Sequence, residues 1–237
     1  MRILITNDDS VNASQLLPFI KWCKKLGEVT VCVPMYQQSG KSHGIEIHEP
    51  FKVEERMLDD DTKVYVVDST PADCVRYAVL GLGFKFDLVI SGVNCGYNIG
   101  RDMLYSGTVA AATEAAILGL PAIAFSTSFD KYENVVNSLD ALWDYIENKK
   151  LLEKHSLYNV NISDEEKGIV ITRQGGSYYS DSFIMVEEGY YKADGKCVFA
   201  PSDDLTLDTD AVISGYNSIT PITIDMTDKK IFDILKN

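Results

Sequence analysis

No C-x-x-C pair occurs in this chain, and its five cysteines (Cys23, Cys32, Cys74, Cys95 and Cys197) are an odd number. That supports neither a disulfide framework nor a zinc site, and leaves reduced, mostly buried thiols. No apolar run approaches the ~20 residues of a membrane span. The amino end, one arginine and a short apolar run that stops at acids, does not read as a secretory leader. The expected compartment is the cytoplasm, with no membrane partner. Basic residues are scarce: 22 Lys and Arg stand against 35 Asp and Glu, a net charge of −13. Such a balance argues against duplex nucleic acid as a partner. It still admits a small anionic substrate, because a bound divalent cation inverts the field around it. The G-x-S-x-G elbow and the Walker A loop are missing too, so neither a serine hydrolase nor a P-loop enzyme is indicated. There is no internal repeat and no low-complexity segment.

What is present is the composition of a globular protein: 46% hydrophobic and 24% charged over 237 residues. That length gives one large domain, or one domain with an appendage. The first half alternates strand and helix patterns. Residues 2–6 read as a strand, and 14–26 as a helix with Leu16, Phe19, Ile20, Cys23 and Leu26 on one face, ended by Gly27. Residues 28–33 are a near-continuous apolar strand of the kind buried on both faces of a parallel sheet. A polar loop (37–43) and a mixed-charge excursion (45–61) precede a third strand at 63–67. Thr70, Pro71 and Asp73 have the chemistry of an N-cap, a first helical residue and a dipole partner. A fourth strand at 86–90 ends at Ser91-Gly92, an Ala-rich helix covers 108–118, and a fifth strand covers 122–125.

This repetition predicts an α/β fold, a Rossmann-like doubly wound and mostly parallel sheet. Residues 1–128 would form the core and 129–237 would complete it, with a helix at 134–148 and strands at 157–162 and 169–172. The Tyr-, Ser- and Gly-rich stretch at about 174–200 reads as a protruding hairpin, with Asp194-Gly195 as its turn signal. A lone hairpin is marginal in water, so it should pack on something, such as a second subunit.

Polar segments follow the predicted strands, and in a parallel sheet such loops share one edge. The first is the adjacent pair Asp8-Asp9, directly after the opening strand. Two carboxylates side by side repel, so the pair is either the ligand of a hard cation such as Mg²⁺, Mn²⁺ or Ca²⁺, or a solvated turn. Ser39-Gly40 offers a hydroxyl and close backbone approach, or simply a turn. Asn94 and Asn98 lie among Gly92, Gly96 and Gly100, offering amide groups in a loop open to a ligand, or an irregular loop needing positive φ. Ser106-Gly107-Thr108 opens the Ala-rich helix, where free N–H groups and the dipole favour phosphate and where a hydroxyl also serves as cap. His43 alone of the three histidines falls in a candidate site loop, as an acid, as a phosphate-orienting group or as a solvated side chain.

Read together, these segments resemble the SurE family of metal-dependent nucleotidases. The matching pieces are Ile3 to Asp9; Gln38 to Gly40 with His43; Ser69 to Val75; Asp87 to Gly100; Tyr105 to Val109; and Gly119 to Ala124. Weaker echoes are Tyr158 to Asn161 and Gly215 to Pro221. The resemblance spans nearly the full length, and six motifs in order are specific where one is not. Departures from the family pattern are Ser10, Ser42, Gly44 and Arg101. The resemblance implies one divalent ion per subunit, Mg²⁺ or Mn²⁺, held by Asp8, Asp9, Ser39 and Asn94. It implies phosphate contacts from Asn98, Ser106, Gly107 and Thr108, and catalytic roles for Asp8, Asp9 and His43. The implied activity is direct hydrolysis of nucleoside 5′- and 3′-monophosphates by water, as in a 5′-nucleotidase or acid phosphatase, with short polyphosphate as a further substrate. A homodimer or homotetramer exchanging C-terminal segments is implied as well, with the hairpin as the arm.

Three other readings compete. A receiver domain also places an acid pair after its first strand to hold Mg²⁺, but it needs a phospho-accepting aspartate where this chain has Ser91-Gly92. A haloacid-dehalogenase phosphatase needs D-x-D, and here the acids are adjacent. A catalytically inert nucleotide binder has the same site residues and differs only in turnover.

Overall fold

Strand β1 (Arg2–Thr6) is buried from Ile3 onward and sends its side chains alternately to two faces of a sheet. Ile3 and Ile5 enter one core and Leu4 the other, as the period of a strand requires. The computed structural model describes residues 1–236. Asn237, the last residue of the expected 129–237 part, lies outside the described residues.

After β1 come helix α1 (Leu16–Cys23), β2 (Glu28–Pro34), β3 (Val53–Asp59), β4 (Thr62–Val67), α2 (Pro71–Arg76), β5 (Leu88–Cys95), α3 (Gly107–Ile117), β6 (Ala122–Thr127) and α4 (Leu139–Asn148). The remainder is α5 (Leu151–Lys154), β7 (Leu157–Ile162), β8 (Ile169–Ile171), β9 (Tyr179–Glu187), β10 (Tyr190–Cys197), α6 (Asp208–Ile213), β11 (Asn217–Pro221) and α7 (Lys229–Leu235). The main sheet has nine strands in the order β3-β4-β2-β1-β5-β6-β7-β11-β8. From β4 to β7 all neighbours are parallel, whereas β3 and β11 run antiparallel to β4 and β7. The sheet is thus the mostly parallel, doubly wound one expected. Strand order turns back between β1 and β5, and the loops at their C-terminal ends open a crevice there.

Two apolar cores cover the faces. One joins β1, α1 and α4 through Phe19, Ile20, Trp22, Leu139 and Leu142, and the other joins the sheet to α2 and α3 through Val75, Ala111, Ala112 and Ala115. The alanines let α3 lie close to β5 and β6. Each large side chain fully removed from water contributes about 1.5–3 kcal/mol.

Several sequence expectations shift. The excursion at 45–61 contains an edge strand, β3, whose Glu and Arg side chains suit a solvated edge and hide its pattern. Strand β5 does not end at Ile90. A bulge between Ser91 and Asn94 carries it on to Cys95, so Asn94 sits on the sheet rather than in a loop. The hairpin β9–β10 turns at Glu188-Gly189, with Glu187 opposite Tyr190 and Gly189 at φ +80°. Asp194-Gly195 is not the turn; it lies inside β10, where Gly195 pairs with Asp181. A 3-10 helix (Tyr132–Ser138) leads into α4 where one continuous helix was expected. No helix among the described residues is long and apolar enough to cross a membrane.

Candidate active site

The turn after β1 is built by its own side chains. Asn7 Nδ2 donates to the Ser10 carbonyl at 3.0 Å, and Ser10 takes φ +75°. That turn brings Asp8 inward, where it is 2% exposed. The Thr108 hydroxyl donates to Asp8 Oδ1 at 2.5 Å, joined by the Thr108 backbone N–H. Burial nevertheless dominates. It pushes the Asp8 carboxyl up to about 6, with the Thr108 hydrogen bond pulling down and the Asp9 charge pushing further up. Asp9 is half-buried; its Oδ2 accepts the Cys95 N–H at 2.9 Å, and burial raises its carboxyl against that bond. Among the described residues neither acid is in an ion pair; their partners are Thr108 for Asp8, and Cys95 and Gln37 for Asp9.

Helix α3 starts against Asp8. Ser106 caps it by accepting the Val109 N–H at 3.1 Å. A Cβ on Gly107 would stand 3.0 Å from Asp8 Cβ and 3.1 Å from Asp8 Oδ2, so any larger residue would press Asp8 away from the helix start by a few tenths of an ångström. The dipole of this 11-residue helix favours negative charge in that space.

Asp8, Ser39, Asn94, Asn98 and Ser106, from segments far apart in sequence, line one cavity of about 610 Å³. Asp9 stands beside it, bonded to the lining residue Cys95. Asn94 Nδ2 donates to the Gly96 carbonyl at 2.7 Å, which leaves the amide oxygen as the group it can offer a ligand. Asn98 is held from behind: its N–H donates to Asn161 Oδ1, its Nδ2 donates to the Ser126 hydroxyl, and its carbonyl accepts from Asn159 and Asn161. His43 is placed differently. It is not among the lining residues, and its Nε2 lies 2.8 Å from Glu114 Oε2.

The donor set suits a hard cation: two carboxylates, an amide oxygen and a hydroxyl, all oxygen and none soft. Among the described residues there is no cluster of three His, Cys, Asp or Glu. A cation here would therefore be completed by neutral oxygens and by its substrate. The buried, uncompensated acid pair fits such an ion.

The rim is aromatic. Tyr97, Tyr105, Phe129, Tyr178 and Tyr179 line it together with Asp102 and Asp130. Phe129 is 72% exposed, and its ring edge lies over Gly96. Tyr179 is tied to the rim through its N–H, which donates to Asp102 Oδ2 at 3.0 Å. The sequence reading does not single these residues out. Ser128 to Asp130 follow β6 and obey the same strand-end rule as the other loops. Tyr178 and Tyr179 were legible only as part of a hairpin.

The family model for survival protein SurE matches residues 3–181. The 5′-nucleotidase SurE of Thermoanaerobacter sp. (strain X514) is 39% identical, the match covering 100% of this chain and 98% of that protein. The 5′-nucleotidase SurE of Alkaliphilus metalliredigens is 38% identical with the same coverage, 100% and 98%. The crystal structure of the SurE protein from Aquifex aeolicus superposes with a TM-score of 0.80 at 34% identity, covering 100% of this chain and 98% of that one.

Proposed function

The chain belongs to the SurE family, and on that premise we propose that it is a phosphomonoesterase hydrolysing nucleoside monophosphates to nucleoside and inorganic phosphate. Its cofactor is one divalent ion per subunit, Mg²⁺ or Mn²⁺, at Asp8, Asp9, Ser39 and Asn94. One observation carries the reading: a single cavity joins a buried end of oxygen ligands and a helix start to an exposed aromatic rim. Phosphate suits the first and a nucleobase suits the second.

The ion would supply Lewis-acid polarisation of a phosphoryl oxygen. Phosphate is met by Asn98, Ser106 and the backbone of Gly107 and Thr108, while the Thr108 hydroxyl aims Asp8. One acid of the pair orients the attacking water and takes its proton. The α3 dipole steadies charge on the phosphoryl oxygens as the ester bond breaks. Phe129, Tyr97, Tyr178 and Tyr179 hold the base by stacking. The proposal extends to 3′-monophosphates and to short polyphosphate, whose terminal phosphoryl group presents the same chemistry. Residues 1–128 carry the metal and phosphate groups, and the rest completes the fold and brings Phe129, Tyr178 and Tyr179 to the base. The assembly is a homodimer or homotetramer exchanging the β9–β10 arm, supported by the apolar side chains that arm exposes, among them Phe183, Met185 and Tyr191. The compartment is the cytoplasm, where five free thiols stay reduced.

Phosphate release from AMP, GMP, CMP and 3′-AMP, measured with Mn²⁺, Mg²⁺ or EDTA, tests the reading. Activity should require the metal and should fall at least a hundredfold in Asp8→Asn. Turnover in EDTA, or an Asp8→Asn enzyme as active as its parent, defeats it. Metal-loaded, folded protein that binds nucleotide without turnover is the inert binder instead.

A further inference from the structure

Glu114 lies in the middle of α3 and is 4% exposed. Each carboxylate oxygen has its own partner: Oε2 meets His43 Nε2 at 2.8 Å, and Oε1 accepts from Arg76 Nη1 at 3.0 Å. Arg76 Nε is 3.8 Å from Asp73 Oδ1. Asp73 Oδ2 accepts the Ser69 hydroxyl at 2.6 Å, the Thr70 hydroxyl at 3.2 Å and the Glu46 N–H at 2.8 Å. The chain of bonds thus runs from α3 through α2 and returns to the loop between β2 and β3 at His43 and Glu46.

That loop has further anchors. The Gln38 N–H donates to the Asp8 carbonyl at 2.8 Å, and the Ser42 N–H donates to the Tyr105 carbonyl at 3.0 Å. The Ser42 hydroxyl donates to the Leu104 carbonyl at 2.7 Å. Ser39 and Gly40, which line the cavity, sit between these fixed points.

The chemistry of the bond decides what His43 does. His43, ahead of burial and Arg76, holds the Glu114 carboxyl below the usual range. An ionised carboxylate only accepts, so the Nε2 proton belongs to the bond with Glu114. His43 faces a structural acid rather than the cavity.

We infer that the His43–Glu114–Arg76 chain is a positioning device that sets the Ser39 loop against Asp8 and Asn94 for cation binding. The inference rests on the metal-dependent reading given above. His43 is a positioning residue here and not the acid of the reaction.

The test is a titration of Mn²⁺ into metal-stripped parent, His43→Ala, His43→Gln and Glu114→Gln, following free Mn²⁺ by electron paramagnetic resonance. It is paired with kcat, KM and the pH profile at saturating Mn²⁺. His43→Ala and Glu114→Gln should bind Mn²⁺ about tenfold or more weakly, the scale of lost outer ligand support. At saturating Mn²⁺ both should keep kcat within about threefold of the parent, with the pH profile unchanged in shape. His43→Gln keeps an N–H for Glu114 and should restore the affinity. Mn²⁺ bound equally well by parent and His43→Ala overturns the inference. So does a kcat lost at saturating Mn²⁺ in both His43 variants together with one limb of the profile. If His43→Ala does not fold, His43→Gln and Glu114→Gln give the same two readouts. A parent that binds no Mn²⁺ removes the metal-dependent reading and this inference with it, whereas a parent that binds and hydrolyses isolates the inference.

Discussion

Asp8 is the residue on which burial and charge conflict most directly. Burial pushes its carboxyl up to about 6, against an ordinary value of 3.8. The folded chain therefore holds this proton more tightly than the unfolded chain. Its contribution is favourable below the ordinary value and is lost as pH rises to about 6. The size is about 3 kcal/mol at about 1.4 kcal/mol per unit. EDTA-stripped protein should melt higher near pH 5 than near pH 7.5, and Asp8→Asn should remove that part of the slope. Equal slopes in both proteins contradict the account. Gly107→Ala tests the neighbouring constraint. The new methyl group meets Asp8 at 3.0–3.1 Å, so kcat/KM should drop by up to about a hundredfold, the cost of a misplaced group. Unchanged circular dichroism would show that the helix itself survives. Asp8-Asp9 and the Ser106 cap were legible because turn and cap chemistry is local. The Thr108 bond to Asp8 spans 100 positions, and the Glu114 partner of His43 is 71 away, so no window of sequence shows either.

Among the elements, the alternation of strand and helix was readable because buried parallel strands are short apolar runs and their helices carry caps, as Thr70 and Ser106 do. Misplaced features were those set by pairing. Strand β3 is polar because it is an edge, β5 outruns its apolar run through a bulge, and the hairpin turn obeys register rather than the Asp-Gly signal. A buried carboxylate, with Asp102 at Tyr179, anchors the root of the hairpin. Asp208, fully buried, accepts the N–H groups of Gly100, Gly175 and Thr209 at 2.7–3.0 Å. Asp208→Ala leaves three donors, two of them buried, without their acceptor. It should lower stability by roughly 3 kcal/mol or more, on the scale of a lost buried partner. Tyr178 and Tyr179 would also loosen and raise KM for nucleotides. Calorimetry together with KM measurements checks this, and a folded variant with unchanged KM would uncouple the hairpin root from the rim.

For the whole molecule, the sheet class was legible, but the insertion of β11 between β7 and β8 was not, since strand order leaves no local mark. The arm is mostly exposed along both strands, with Phe183 at 73% and Tyr191 at 64%. Deleting residues 176–200 should therefore reduce the sedimenting species to a smaller one. An unchanged number of subunits in sedimentation would reject the proposed arm exchange. The place of β11 has a further consequence, during synthesis. Strand β8 pairs with β11 and not with β7, so β8 has no partner, and β7 only β6, until residues 217–221 have left the ribosome. At about 5–20 residues per second, the nascent chain carries an open strand edge on β7 for several seconds after the strands up to β6 have been made. In that interval the growing polypeptide presents an edge open to wrong pairing.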